Sequence, residues 1–403
     1  MKSTRFLSRI SLVAALFASS LAFAIEMKTS DDFKFNIRIL IQARGQLSWD
    51  GDGPSATAPS QAPAGTLDTD FYIRRGRVYF DGVAFKYFTF YLMLDTPNFG
   101  IHGNYGTVKT FTQDIHVGYE PFKDLDIEIG FLYMPLSHLA LNSAAGTLSI
   151  EKPTAILLYN NANGLRETGV QARGFLLDRK ILLRGGIYEG LHGLQGLDVP
   201  NASASCPTCS AAVVNPNGRP LFAGIVRYNF VGYEAGYAYN TMYLDGKTRI
   251  SVGVGGQYQL KGANTPNKFL NTSGATGNAT AVADYVALAG DFFADVALPG
   301  DQEFMIQADV YHFDWGTGSD KTGYGTTAEI GYRFGQIAIE GNGYWFNSES
   351  HRGNFLKVAG GLNYFLKGHN AKLQLEFWSQ KNNVELDLSQ ALKQVTLQAQ
   401  AYF

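Results

Sequence analysis

Charge is scarce in this chain. Asp, Glu, Lys and Arg together make up 17% of its 403 residues, against about 25% in an ordinary soluble protein. The balance is −2, which argues against a polyanion binder and excludes nucleic acid as a partner. Beyond the N-terminus no apolar run approaches the ~18 residues of a spanning helix. Catalytic signatures are missing too: there is no HExxH, no GxSxG and no Walker loop. Gly253, Gly255 and Gly256 look superficially like a dinucleotide loop, but no helix pattern follows them. The seven histidines are scattered, and His116 reads as a solvated polar group rather than a catalyst. The chain is therefore not read as an enzyme, and no cofactor or metal is expected. Cysteine is limited to Cys206 and Cys209. They lack further metal ligands and a βαβ context, so the pair reads as a local disulfide in an extracytoplasmic loop.

Aromatic residues and glycine are plentiful instead, at 13% and 45 residues. The stretch Phe33–Ser48 explains why. Phe33, Phe35, Ile37, Ile39, Ile41, Ala43, Gly45 and Leu47 lie on one face, and Lys34, Asn36, Arg38, Leu40, Gln42, Arg44, Gln46 and Ser48 on the other, almost wholly polar. A period of two held this long exceeds the ~3–10 residues of most soluble strands. It suits a tilted membrane strand, which needs about 9–11 residues plus overhang. The expectation is a transmembrane antiparallel β-barrel with lipid outside and water within.

The N-terminus agrees with that compartment. Lys2, Arg5 and Arg9 precede the apolar run Ile10–Leu21, and Ala22-Phe23-Ala24 forms a small-x-small cleavage site. Residues 1–24 thus read as a signal peptide and 25–403 as a single barrel domain. No cysteine opens the mature chain, so a lipid anchor is not expected. Loss of the three signal-peptide cations leaves about −5 by side-chain count.

Strand patterns recur along the chain. Asp70–Val83 has ambiguous parity, which a bulge near Arg74-Arg75 or a start above the membrane would resolve. Pro135–Leu165 breaks the alternation, and its Leu, Ile and Ala content reads as a loop folded inward to narrow the pore. Gly190–Pro220 and Lys261–Asp284 read as long outer loops. Tyr233–Tyr243 resembles a strand, but counting it gives seventeen. Alternation of long and short connections rejects it and leaves about sixteen strands, as an even-numbered barrel requires. The last strand, Gln394–Phe403, alternates to the end and stops on an aromatic, resembling the assembly signal of outer-membrane barrels.

Alternation also assigns the lumen. Arg38, Arg44, Arg75, Arg77, Arg173, Arg184 and Arg227 point inward from the first half. Asp291, Asp295, Asp309, Glu329, Glu340 and Glu376 point inward from the second. The expectation is a basic wall facing an acidic wall, with a transverse field across the water between them.

Three segments carry a family resemblance: FYIRRGRVYFDGV, EIGFLYMPLS and RETGVQARGFLLDRKILLRGGIYEG. Arg74-Arg75-Gly76-Arg77, Gly130, Pro135, Arg166, Gly169, Val170, Gly186 and Tyr188 resemble the phosphate-selective porin O and P family over roughly Phe33–Gly190. The resemblance implies a 16-stranded homotrimeric porin of the bacterial outer membrane. Its partners would be the bilayer and small hydrophilic solutes and ions. The reading is a passive diffusion porin with a mixed-charge pore. Its rivals are an anion- or phosphate-selective channel, a barrel enzyme, and a receptor barrel with a plugged lumen.

Overall fold

The computed structural model describes residues 25–30, 32–49, 67–106, 108–152, 165–190, 219–265, 281–316, 319, 321–349, 354–382 and 392–403. The signal-peptide segment and both cysteines, Cys206 and Cys209, lie outside them. Seventeen strands form one antiparallel sheet. They begin with β1 (Ile25–Ser30), β2 (Phe33–Trp49), β3 (Asp68–Ala84), β4 (Phe88–Phe99), β5 (Phe111–Phe122) and β6 (Leu125–Tyr133). Then come β7 (Arg166–Leu176), β8 (Ile181–Tyr188), β9 (Leu221–Val231), β10 (Arg249–Thr265), β11 (Ala281–Leu298) and β12 (Gln302–Asp314). The last are β13 (Gly323–Phe334), β14 (Ile337–Ser348), β15 (Phe355–Lys367), β16 (Ala371–Asn382) and β17 (Leu392–Tyr402).

Strands β2 to β17 each pair with the next, and β17 returns to β2 in unbroken register from Lys393↔Trp49 to Tyr402↔Leu40. That closure makes a 16-stranded barrel with no free edge, the condition for a sheet to cross lipid. The count matches the sequence reading, and Tyr233–Tyr243 forms no strand. β1 was not foreseen. It is short, and it pairs with the first residues of β2, from Ile25↔Ile37 to Lys28↔Lys34.

Period-two patterning sets the two faces. On β9, Phe222, Val226, Tyr228 and Phe230 are exposed, while Leu221, Ala223, Ile225, Arg227 and Asn229 are buried. Ile115, Val117, Ile129, Ile187, Val254, Val310, Ile330 and Leu397 continue the outward apolar band. β3 carries the anticipated bulge. Gln42 pairs with Arg75 and Ala43 with Ile73, so Arg74 is the extra residue. The bulge lets Phe71 face lipid on one side of it while Arg75 and Arg77 stay inside on the other.

Short connections at residues 123–124, 299–301, 335–336 and 368–370 gather at the end holding the chain's C-terminus. By the usual asymmetry of such barrels that end is the periplasmic one. β8 ends and β9 begins at the other end, as β10 ends and β11 begins there, while residues 191–218 and 266–280 lie outside the described residues. Lys261–Asp284 is shorter as a loop than the sequence suggested, since β10 runs to Thr265 and β11 starts at Ala281.

Candidate pore constriction

Among the described residues two connections enter the barrel, one from each end. After β6 the chain turns inward, and Leu136, Leu139, Ala140 and Leu141 lie buried in the lumen. A single 3-10 turn at Leu139–Leu141 leads this descent. From the periplasmic end, the connection between β9 and β10 rises to meet it, burying Tyr239 and Met242 completely. Sequence reading placed the β9–β10 connection in the periplasm and missed that it enters the pore.

The two segments are hydrogen-bonded to each other. Ser143 N donates to Tyr239 O at 2.7 Å, Tyr239 N to Leu141 O at 2.9 Å, and Thr241 N to Gly146 O at 3.0 Å. His138 Nε2 lies 2.9 Å from Glu234 Oε1, with 0% and 3% of the two side chains exposed. The imidazole also stacks on Phe293, with ring centres 4.0 Å apart. Burial opposes ionisation of Glu234, but His138 and then Arg227 and Tyr243 hold its carboxyl below the ordinary value.

A backbone inside a pore needs acceptors for its amides. The acidic wall supplies them. Asp291 Oδ2 accepts from His138 N at 3.1 Å, and Asp309 Oδ1 from Leu139 N at 3.4 Å. Glu329 accepts from Ser149 N and Glu376 from Ile150 N, both at 2.9 Å. Asp295 accepts from Tyr243 N at 2.9 Å, and Glu303 from Leu244 N at 3.1 Å. Glu340 lies beside Asn342, which donates to it at 3.0 Å. Carbonyls of the same loop meet donors: Gln374 Nε2 reaches Leu148 O at 2.8 Å, and Gln400 Nε2 reaches Ala145 O at 3.0 Å. Inward glycines make the space. A Cβ on Gly255 would sit 1.9 Å from Leu136 O, and one on Gly146 would sit 1.8 Å from Asn240 Oδ1.

Every sequence-predicted lumen residue lies on the interior side. Arg44, Arg75, Arg77, Arg184, Arg227, Asp291, Asp295, Asp309, Glu329, Glu340 and Glu376 are buried, and Arg38 and Arg173 half-buried. The expected opposition of two charged walls across water is corrected. Five of the six acids accept loop amides. Most arginines are ion-paired nearby: Arg38 with Asp81 at 2.6 Å, Arg77 with Asp95 at 2.7 Å, Arg173 with Asp126 and Glu128, and Arg227 with Asp291. Arg184 donates to Gln171 Oε1 at 3.1 Å and to Tyr237 O at 2.8 Å. Alternation fixes which face a side chain takes, but not its partner.

One cluster is unbalanced. Glu151, on the inward loop, receives Arg44 at 2.8 Å, Arg74 at 2.6 Å and Arg75 at 2.7 Å. Burial works against its ionisation, yet Arg74, Arg75 and Arg44 hold its carboxyl well below the usual carboxylate range. Lys152 follows, with Nζ donating to Asn142 O at 2.9 Å. Burial, then Arg166, Arg75 and Arg77, push its ammonium well below the ordinary value. Arg166 itself pairs with Asp114 at 2.9 Å and lies 3.7 Å over the Tyr133 ring. Arg74, Glu151, Lys152 and Arg166 were absent from the sequence-derived set. Arg74 sits at the bulge, Glu151 and Lys152 in the middle of the aperiodic loop and Arg166 at the first residue of β7, where alternation assigns no face.

The arginine cluster lies within a segment that resembles a known family. Residues 42–210 match the family model described as phosphate-selective porin O and P. The suspected family is supported by that match. Solved structures share the fold at low identity. OprB of Pseudomonas putida is 9% identical, with a TM-score of 0.59, covering 92% of this chain and 94% of that one. The outer-membrane channel DcaP of Acinetobacter baumannii is 10% identical at a TM-score of 0.55, with 94% and 99% covered. An anion-selective porin from Comamonas acidovorans is 10% identical at 0.53, with 92% and 100% covered. No curated protein sequence matches the chain. Family match and barrel together support a porin channel of the bacterial outer membrane.

Proposed function

We propose that the protein is a passive diffusion porin for small hydrophilic solutes that favours anions. The observation that carries this reading is the cluster of Arg44, Arg74 and Arg75 around the single carboxylate of Glu151. Three guanidiniums against one carboxylate leave a positive surplus at the inward loop. The acids that would offset it across the lumen are engaged with loop amides. A low-dielectric wall focuses such a surplus on passing ions. This replaces the even-handed transverse field expected from the sequence with a one-sided one. Phosphate is one candidate solute within the anion class.

The mature chain is taken as residues 25–403 after removal of the signal peptide, working as a homotrimer. Channel action rather than catalysis fits the interior, most of whose acids are engaged with loop amides or arginines. The test is a reversal potential in a KCl gradient across a planar bilayer. A potential on the anion side supports the proposal, and one on the cation side overturns it.

A further inference from the structure

Below the arginine cluster runs a row of inward aromatic rings. Tyr402 and Tyr79 have centres 5.6 Å apart, Tyr79 and Tyr91 6.3 Å, and Tyr91 and Tyr237 5.6 Å. His116 stacks on Tyr91 at 5.2 Å and meets Tyr237 at 4.6 Å, and Tyr133 follows Tyr237 at 5.5 Å. These rings come from β17, β3, β4, β5, β6 and the periplasmic segment, so the row exists only because that segment enters the lumen. Tyr79 and Tyr133 are nearly covered, while Tyr91, Tyr237 and Tyr402 are half-exposed. Leu40, Met93 and Ala145 pack beside them. Guanidiniums lie over the same rings: Arg38 is 5.2 Å from the Tyr79 centre and 5.7 Å from Tyr402, and Arg184 is 5.1 Å from Tyr237.

We propose that this row is a binding track for ring-bearing anions, a class in which a planar or ring face carries a carboxylate. The inference deepens the anion-preferring reading and rests on it. Register gives the order of encounter. Arg75 pairs with Pro97 of β4, and Tyr91 lies six residues nearer the periplasmic end of that strand, roughly 20 Å along it. An anion drawn to the arginine cluster thus reaches the rings next. Successive centres fall within the 4.5–7 Å at which aromatic faces attract each other, so a solute ring leaving one face is already in reach of the next. Cations over the rings favour a solute that carries its own negative edge. An apolar lining with a few placed polar groups is the usual character of a small-molecule site.

The experiment compares two anions of equal charge, benzoate and acetate, by bi-ionic reversal potential in the full-length channel. A plain water-filled pore passes the larger benzoate less readily. The track predicts a benzoate-to-acetate permeability ratio above one. Tyr91→Leu should bring the ratio below one, and Tyr91→Phe should keep it above one. A native ratio below one, or a ratio unmoved by Tyr91→Leu, overturns the track. The KCl potential judges the anion preference separately, because the ratio sets two anions against each other in one pore.

Discussion

The two halves of the barrel interior offer the same strand geometry and both point ionised side chains inward, yet charge does different work in each. From β11 to β16, Asp291, Asp295, Asp309, Glu329 and Glu376 accept backbone amides of the inward segments. Their charge is directed at dipoles that never leave. On β2 and β3, Arg44, Arg74 and Arg75 crowd one carboxylate that arrives on a loop. Their charge exceeds what that one carboxylate supplies. An acidic wall can therefore serve to hold in place the backbone that narrows a pore.

The largest effect should come from breaking the acidic half. Asp309→Ala, Glu329→Ala and Glu376→Ala together remove three side-chain acceptors from buried amides. Leaving a buried amide unsatisfied costs about 1–3 kcal/mol, so the loop should leave its wall. Single-channel recording should show higher unitary conductance and more open-channel noise, with ion preference little altered. A pure selectivity change at constant conductance would contradict the anchoring role.

Next in size is the basic half. Replacing Arg44, Arg74 and Arg75 by Gln leaves Glu151 unopposed, and the KCl reversal potential should move toward cations. The shift should shrink between 0.1 M and 1 M salt, as the Debye length falls from about 10 Å to about 3 Å. Conductance should change less than in the acidic variant. Equal changes in both quantities for both variants would erase the distinction between the walls.

Gly255→Ala tests the docking from the backbone side. Its Cβ would meet Leu136 O at 1.9 Å, and overpacking of this kind costs typically about 1–3 kcal/mol. The barrel should still assemble, with the inward loop more open to protease.

Acid should separate the two inward segments by a smaller margin. His369 Nε2 is 2.7 Å from Met242 O of the periplasmic segment, and burial, then Lys372, push the ring down to about 3. An unfolded histidine takes its proton near 6.5. The stability from the neutral ring is thus complete above that value and declines as pH falls from about 6.5 toward 3. Glu151 loses its contribution in the same direction, but in a lower pH window. Its contribution is complete above the ordinary carboxylate value and is lost only well below it. Hydrogen exchange at pH 5 should rise around Met242 before it rises around Ile150. Simultaneous loosening would show that His369 does not set the difference.

Much of this was legible from residue order alone. The alternation in Phe33–Ser48 gave the barrel, and broken parity around Arg74 gave the bulge. Long and short connections removed Tyr233–Tyr243 from the strand count. The same reasoning could not see where that segment goes, since Tyr237, Tyr239 and Glu234 are recognisable as lumen residues only once Asp114, Asn142 and His138 stand beside them. Gly255 was passed over because its use is steric, and nothing nearby in sequence names the carbonyl it admits. The partners of the acids were hidden for a related reason: a backbone amide leaves no mark in the amino-acid code.

The short strand β1 bears on how the ring is closed. It takes the edge of β2 from Phe33 to Ile37, and β17 takes the same edge from Leu40 to Trp49. A β17 displaced by two residues would keep all its side chains on their proper faces, so patterning alone does not forbid the slip. Sliding toward the periplasm, however, would drive Phe403 into the rung that β1 already occupies. The N-terminal hairpin thus acts as a mechanical stop, setting in one direction the phase at which the cylinder locks.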